Sequence, residues 1–309
     1  MDARLGNYTL IDRYAVGGAA EIFRARTQDR GDIVVIKRMR PETVNDPLLR
    51  EGFQRETWLS TLFHHPNLVE GIEKDEVNGV EYVVLEYVPG VDLRSLLDRV
   101  RERNVPVPLA FWLHVVHQIL LALEFVHELQ DEECIPLGLV HCDVHPGNIL
   151  INFQGKVKLA DFGVAHLARL DPMPEHVVGT PGYLAPEQAK LDVLDQRTDL
   201  FSLGCVLYEI LTGERAFELN GLSDEKILKI HQKGALKKFS HSVPENLRMV
   251  VEVACSPDPD ERYANARAML RDLDEALSDT GVYGPDLGLA TVARQLFPDI
   301  FQKSIVKDA

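Results

Sequence analysis

Between Tyr8 and Tyr87, apolar and polar residues alternate in short runs bounded by turn-forming residues. Tyr8 to Val16, Glu21 to Thr27, Asp32 to Met39, Leu68 to Glu76 and Val80 to Tyr87 are rich in β-branched or aromatic residues, which predicts five strands of a small antiparallel sheet. One helix interrupts them. Asp46 stands as its N-cap, Pro47 occupies the first helical position, and Phe53, Trp58, Leu59 and Leu62 are expected to face a core. After Pro89-Gly90 the period changes. Asp92 to Arg103, Pro108 to Leu129, Thr198 to Thr212, Ser223 to Lys233, Ser242 to Cys255 and Ala264 to Leu277 all read as helices. Ser242 with Glu245 forms a capping box, Gly213 follows the last turn of its helix, and Met269, Leu273 and Leu277 stripe one face. The pattern therefore predicts an α+β chain of two lobes, residues 1–88 and 89–278, with an amphipathic helical extension over 279–309. Pro89-Gly90 is the expected hinge, with a cleft for a nucleotide behind it.

Composition narrows the partners. In 309 residues, 33 Lys and Arg stand against 48 Asp and Glu, and a formal charge of −15 argues against nucleic acid or an anionic membrane surface as the main partner. No apolar run is expected to approach the eighteen or so residues needed to span a bilayer, and the first residues do not form a signal-peptide core, so the reading is cytoplasmic. Cys134, Cys142, Cys205 and Cys255 show no paired or metal-type spacing and read as reduced thiols.

The candidate chemistry centres on His141-Cys142-Asp143-Val144-His145-Pro146-Gly147-Asn148, followed by Asp161-Phe162-Gly163. Asp143 and Asn148 lie in a loop before a short apolar strand and Asp161 ends the next, so a hairpin is expected to gather the three at one edge, where they suit a magnesium ion and a hydroxyl. Taken alone, each fragment reads better as a turn, and the order of the surrounding pieces decides against that. Upstream, Ala15-Val16-Gly17-Gly18-Ala19-Ala20 is a small-residue turn able to approach a phosphate, although Ala15 and Ala20 occupy two of the three glycine sites of G-x-G-x-x-G. Lys37 shares a strand face with Val35, and Glu56, on the apolar side of the helix, needs a cation that Lys37 can supply.

With Lys37, Glu56, Asp143, Asn148 and Asp161 in this order, the sequence from about Tyr8 to Leu277 resembles the protein kinase family, specifically bacterial Ser/Thr kinases of eukaryotic type. The resemblance implies a bilobal kinase fold that transfers the γ-phosphate of ATP, with Mg2+ or Mn2+, to a Ser or Thr of a protein substrate. Val16, Gly17 and Gly18 would cover the phosphates and Lys37 would hold them, paired with Glu56. Leu85, Glu86 and Val88 would form the hinge that meets adenine, Ile22, Val35 and Leu150 would sandwich it, and Asp92 would approach the ribose. Asp143 would be the base, Asn148 and Asp161 the metal ligands, and Thr180 would stand beside Asp143, which favours a Ser or Thr acceptor.

Several kinases of small molecules use a similar catalytic loop. Gly179 to Glu187, the Asp199-Leu200-Phe201-Ser202-Leu203-Gly204 run, and Arg262 as the expected partner of Glu187 resemble protein kinases instead. Two departures stand out: Cys142 replaces the arginine that normally grips a phosphorylated activation loop, and His145 replaces a lysine that touches the γ-phosphate. Gly163 to Gly179 contains no Ser, Thr or Tyr, so activity is expected without activation-loop phosphorylation. A pseudokinase binding nucleotide or partners is the alternative reading. The loop from Gln130 to Gly138 resembles an insertion of myxobacterial kinases. The tail, with Leu287, Leu289, Val292, Leu296, Phe297 and Ile300, is read as packing on the helical lobe or as a docking or dimerisation helix.

Overall fold

The computed structural model describes residues 4–169, 171–173, 175–239, 243–278 and 288–306. The chain divides into two compact units: residues up to Pro89 with Ala160–Gly163 and those from Asp299, and residues Gly90–Leu159 with Val164–Pro298.

In the first unit, β1 (Arg4–Leu5), β2 (Tyr8–Val16), β3 (Ala20–Thr27), β4 (Ile33–Met39), β5 (Gly71–Val77) and β6 (Val80–Glu86) form one antiparallel sheet in the order β1-β2-β3-β4-β6-β5. The sixth strand was not expected: β1 is two residues long, too short to show a period, and is ordered by pairing Arg4 with Thr9 and Leu5 with Tyr8. One sheet face packs Tyr8, Phe23, Ala25, Val34, Ile36, Tyr82 and Val84 together. Helix α1 (Pro47–Leu62) begins as expected, with the Asp46 carboxylate accepting from Leu48 N and Leu49 N at 3.0 and 3.2 Å. It buries Phe53 and Leu59, but Trp58 is 37% exposed, so the indole lies off the core-facing side.

In the second unit, α2 (Leu93–Arg103), α3 (Leu109–His127), α4 (Pro186–Lys190), α5 (Gln196–Thr212), α6 (Asp224–Lys233), α7 (Glu245–Ala254), α8 (Ala266–Ser278) and α9 (Leu289–Leu296) surround a three-stranded sheet of β7 (Gly90–Asp92), β9 (Ile149–Asn152) and β10 (Val157–Leu159), with β8 (Leu139–Val140) pairing β11 (His166–Leu167). Gly90 is required where it is, because a Cβ there would overlap the backbone of Ile151 and Asn152 across the β7–β9 ladder. The expectation that no run is long and apolar enough to cross a membrane is corrected by α3: an 18-residue window of this 19-residue helix has a mean hydropathy of 1.7. It is a core helix, burying Phe111, Leu113, Val116, Ile119, Leu120 and Leu123 among its neighbours. Met269 and Leu273 of α8 are fully buried, as their stripe implied. The expected Ser242 cap and Leu287 lie outside the described residues; α7 starts at Glu245.

The tail forms two helices. In α9, Leu289, Ala293 and Leu296 are buried in the second unit, where Arg99 donates to Leu296 O at 3.3 Å and stacks over Phe297. A break at Phe297-Pro298 starts α10 (Pro298–Val306), where Ile300 is 42% exposed.

Candidate active site

The first unit assembles one half of the predicted chemistry. Along β4, Val34 and Ile36 point into the core while Val35 and Lys37 share the opposite face, as period-two alternation requires. Ile22 pairs with Lys37 across β3–β4, and Leu85 and Val83 lie opposite Val35 and Lys37 on β6. This gives a half-buried face in which Ile22, Val35 and Leu85 lie around Lys37, with Arg24 opposite Val35. Lys37 Nζ is ion-paired with Glu56 on α1 and donates to Asp161 Oδ1 at 3.0 Å. Burial opposes its charge, but Glu56 and then Asp161 outweigh that and hold the ammonium above its ordinary pKa. Lys37 and Glu56 are mostly covered, whereas the Asp161 side chain is 48% exposed and can meet a ligand.

Asp161-Phe162-Gly163 is shaped around that pair. Asp161 adopts a left-handed backbone at φ 65°, Phe162 is buried against Phe63 at the end of α1 with ring centroids 4.3 Å apart, and a Cβ on Gly163 would lie 3.1 Å from Asp161 Oδ1 and 3.2 Å from Glu56 Oε2. Phe63 was missed from the sequence because it sits just past the last helical turn. The β2–β3 turn places Val16 opposite Glu21, and Gly17 N donates to Ala20 O at 2.8 Å. Arg40 N and the Thr43 hydroxyl both donate to Ala19 O, at 2.9 and 3.1 Å, tethering the turn from the segment before α1. Glu86 N donates to Glu70 O at 3.0 Å.

The second unit assembles the other half. Asp199, fully buried on α5, accepts from His141 N at 2.8 Å and Cys142 N at 2.9 Å, and its Oδ2 lies 2.8 Å from His127 Nε2. These bonds fix the loop that carries Asp143. Asn148 Nδ2 donates to Asp143 O at 3.0 Å and Oδ2 at 3.3 Å, while Asp143 Oδ1 is buried with no hydrogen-bond partner among the described residues. Burial raises the Asp143 pKa, but His145 and then Thr180 outweigh it, so the carboxylate is held below its ordinary value. His145 Nδ1 accepts from Gly147 N at 3.0 Å, which places the ring proton on Nε2, 3.5 Å from Asp143 Oδ2. A Cβ on Gly147 would come within 2.7 Å of that ring, which accounts for the glycine.

Cys142, which stands where the resembling family has an arginine, is buried at φ 66° in an apolar cluster with Val140 and Leu194, against which Val164 and Val178 pack. Glu187 and Arg262 meet as predicted, in a buried bidentate pair at 2.7 and 2.8 Å, with Thr198 Oγ1 donating to Glu187 at 2.8 Å. Asp92 caps α2: its two oxygens accept from Ser95 N at 2.8 Å and Ser95 Oγ at 2.7 Å. Leu150 lies in β9 opposite Asp92.

Sequence reasoning missed His231. Fully buried on α6, it accepts from Gly182 N through Nε2 at 3.0 Å and so donates from Nδ1 to Leu184 O at 3.0 Å, pinning the segment beside Thr180. A lone histidine 49 residues away carries no signal for that contact.

No group of three or more His, Cys, Asp or Glu side chains able to hold a metal alone is present among the described residues. Taken singly, the half-exposed Asp161 carboxylate of the first unit and the Asn148 amide of the second are each of a ligand type that suits Mg2+, which takes few protein ligands and completes its shell with other oxygens.

The protein kinase domain model matches residues 8–273. Tyrosine-protein kinase MasK of Myxococcus xanthus is 36% identical over 89% of this chain and 43% of that protein. Serine/threonine-protein kinase PrkC of Bacillus subtilis is 30% identical over 88% of this chain and 40% of its own length, and a probable serine/threonine-protein kinase of Clostridium perfringens is 31% identical over 90% and 39%. The chain thus spans about two fifths of the length of these curated relatives. With Lys37 paired to Glu56, Asp143 braced by Asn148, Glu187 locked to Arg262 and the domain match running from β2 into α8, this chain belongs to the protein kinase family.

Proposed function

We propose that the chain is an ATP-dependent protein kinase acting on Ser or Thr hydroxyls, active without phosphorylation between Gly163 and Gly179. The observation that carries the reading is Asp143: one carboxylate oxygen is braced by Asn148, and the other is buried with the Thr180 hydroxyl near the carboxyl group but no donor in good hydrogen-bond geometry among the described residues. A substrate hydroxyl satisfies that oxygen and delivers its proton to it as the hydroxyl oxygen bonds to the γ-phosphorus of ATP and the bond to the β,γ-bridging oxygen breaks, releasing ADP. Lys37, held cationic by Glu56, binds non-bridging phosphate oxygens of ATP. The turn at Val16, Gly17 and Gly18 covers the phosphates. Ile22, Val35, Leu85 and Leu150 offer apolar contact to adenine, with Glu86 and Val88 backbone groups on its polar edge. Asp92, its oxygens each bonded once to Ser95, keeps a second lone pair for a ribose hydroxyl. Asn148 and Asp161 would hold Mg2+ or Mn2+, whose charge would offset that of the phosphates.

Thr180 near Asp143 supports the Ser/Thr assignment, whereas the name of MasK assigns tyrosine to that relative. Incubation with labelled ATP and Mg2+, using Asp143→Asn as the blank, tests the activity, and phosphoamino-acid analysis of the product tests the acceptor. Signal on serine or threonine is expected. No signal above the blank on the chain itself or on a generic protein substrate returns the chain to a nucleotide- or partner-binding role. A requirement for modified Thr180 or Tyr183 overturns phosphorylation-independence.

A further inference from the structure

The segment from Gly163 to Gly179 has no hydroxyl that could take a phosphate, so its place beside the Asp143 loop is set by unmodified groups. The Gln188 side chain is hydrogen-bonded to both. Gln188, the third residue of α4, is 2% exposed, and its Oε1 accepts from Ala185 N at 3.0 Å, which assigns the orientation of the amide. Its Nε2 then donates to Cys142 O at 2.7 Å and to Val178 O at 3.0 Å. Cys142 directly precedes Asp143, and Val178 lies two residues before Thr180. Between them Gly179 takes φ +111°, and a Cβ there would fall 2.8 Å from Cys142 O and 3.1 Å from Gln188 Nε2, so the chains pass too closely for any side chain. Below these bonds Cys142 and Val178 share one apolar cluster.

We infer that Gln188 is the positioning residue that fixes Thr180 and the end of the activation segment against the Asp143 loop, joining Cys142 O to Val178 O through the two protons of one neutral amide. The inference rests on the kinase reading above. It makes the ordered segment a property of the unmodified chain. Losing both protons strands two covered carbonyls, which shifts the balance between the ordered and displaced segment by roughly 10- to 1000-fold.

The test uses the full chain and two substitutions. Gln188→Met keeps length and removes both donors. Its kcat for a protein substrate is expected to fall at least about tenfold while KM for ATP stays within about twofold, because Lys37, Glu56 and Asp161 are untouched, and trypsin cleavage after Arg169 should quicken. Gln188→Glu places a carboxylate against two carbonyls, but its protonated form regains one O–H donor. Its kcat relative to wild type should therefore rise as pH falls from 8 to 6. A Gln188→Met variant with kcat and cleavage rate near wild type overturns the inference. So does a parallel loss of kcat, ATP affinity and unfolding midpoint, or a flat pH ratio for Gln188→Glu. If Gln188→Met does not fold, the pH series decides. If wild type phosphorylates no protein, the kinase reading falls and the Arg169 cleavage comparison alone decides the role of Gln188.

Discussion

In the first unit Lys37 is held chiefly by opposite charge, from Glu56 on one side and Asp161 on the other, at a face left half-open. In the second unit Asp143 rides on a loop hung from Asp199 by two backbone N–H groups, and Asn148 braces its carboxylate. The contrast follows from what each group must do under the proposed kinase reading. Lys37 has to stay charged while exchanging protein carboxylates for phosphate oxygens, so its partners are charged and one is accessible. Asp143 has to stand at one position and accept a proton, so its support is buried and directional.

The sharpest way to break this comparison separates the base from its support. Asp143→Asn should lower phosphoryl transfer by about 10³-fold or more with little change in unfolding midpoint. Asp199→Asn, which turns an acceptor of three groups partly into a donor, should lose activity and also several degrees of midpoint. Equal thermal effects would show that the two aspartates are not divided in this way. Next in size, Arg262→Met leaves Glu187 as a buried unpaired charge and should cost about 3–5 kcal/mol in denaturant unfolding, with Glu187→Gln added on top restoring part of it. On the first unit, Lys37→Met should reduce kcat/KM for ATP about 100-fold, and Lys37→Arg should not restore it, because the fork does not fit between Glu56 and Asp161. A full rescue by arginine would mean that charge alone is needed.

The smallest effect concerns pH. Burial lowers the His231 pKa, and a proton on Nε2 would remove the acceptor for Gly182 N. The unfolded chain therefore binds a proton that the native chain refuses. The stability given by the neutral ring is complete above about pH 6.5 and declines below it as pH falls toward the lowered native pKa, by at most about 1.4 kcal/mol per unit. His231→Gln should flatten that part of the profile in unfolding measured from pH 7.5 to 5.5.

Much of this was legible in the linear chain. Strand alternation around Val35 and Lys37, the Asp46-Pro47 helix start, the change of period after Pro89-Gly90 and the order of Lys37, Glu56, Asp143, Asn148 and Asp161 are local or nearly local signals, and the element they predict forms around each of them. Trp58 was misplaced for a related reason: a helix wheel gives the apolar side to within a residue or two, and only packing chooses its centre. The apolar length of α3 likewise reads the same for a core helix and a membrane helix until its neighbours are seen.

The sequence by itself determined which groups are present and in what order: five polar residues of phosphate chemistry, and an activation segment without a hydroxyl. The tertiary structure decided which distant groups hold the loops that carry them. Gln188 reaching Cys142 O, His231 pinning Gly182, Phe63 under Phe162 and Asp199 behind His141 join residues 46 to 99 positions apart. Such contacts depend on distances set by folded helices and turns, and neither period nor motif encodes them.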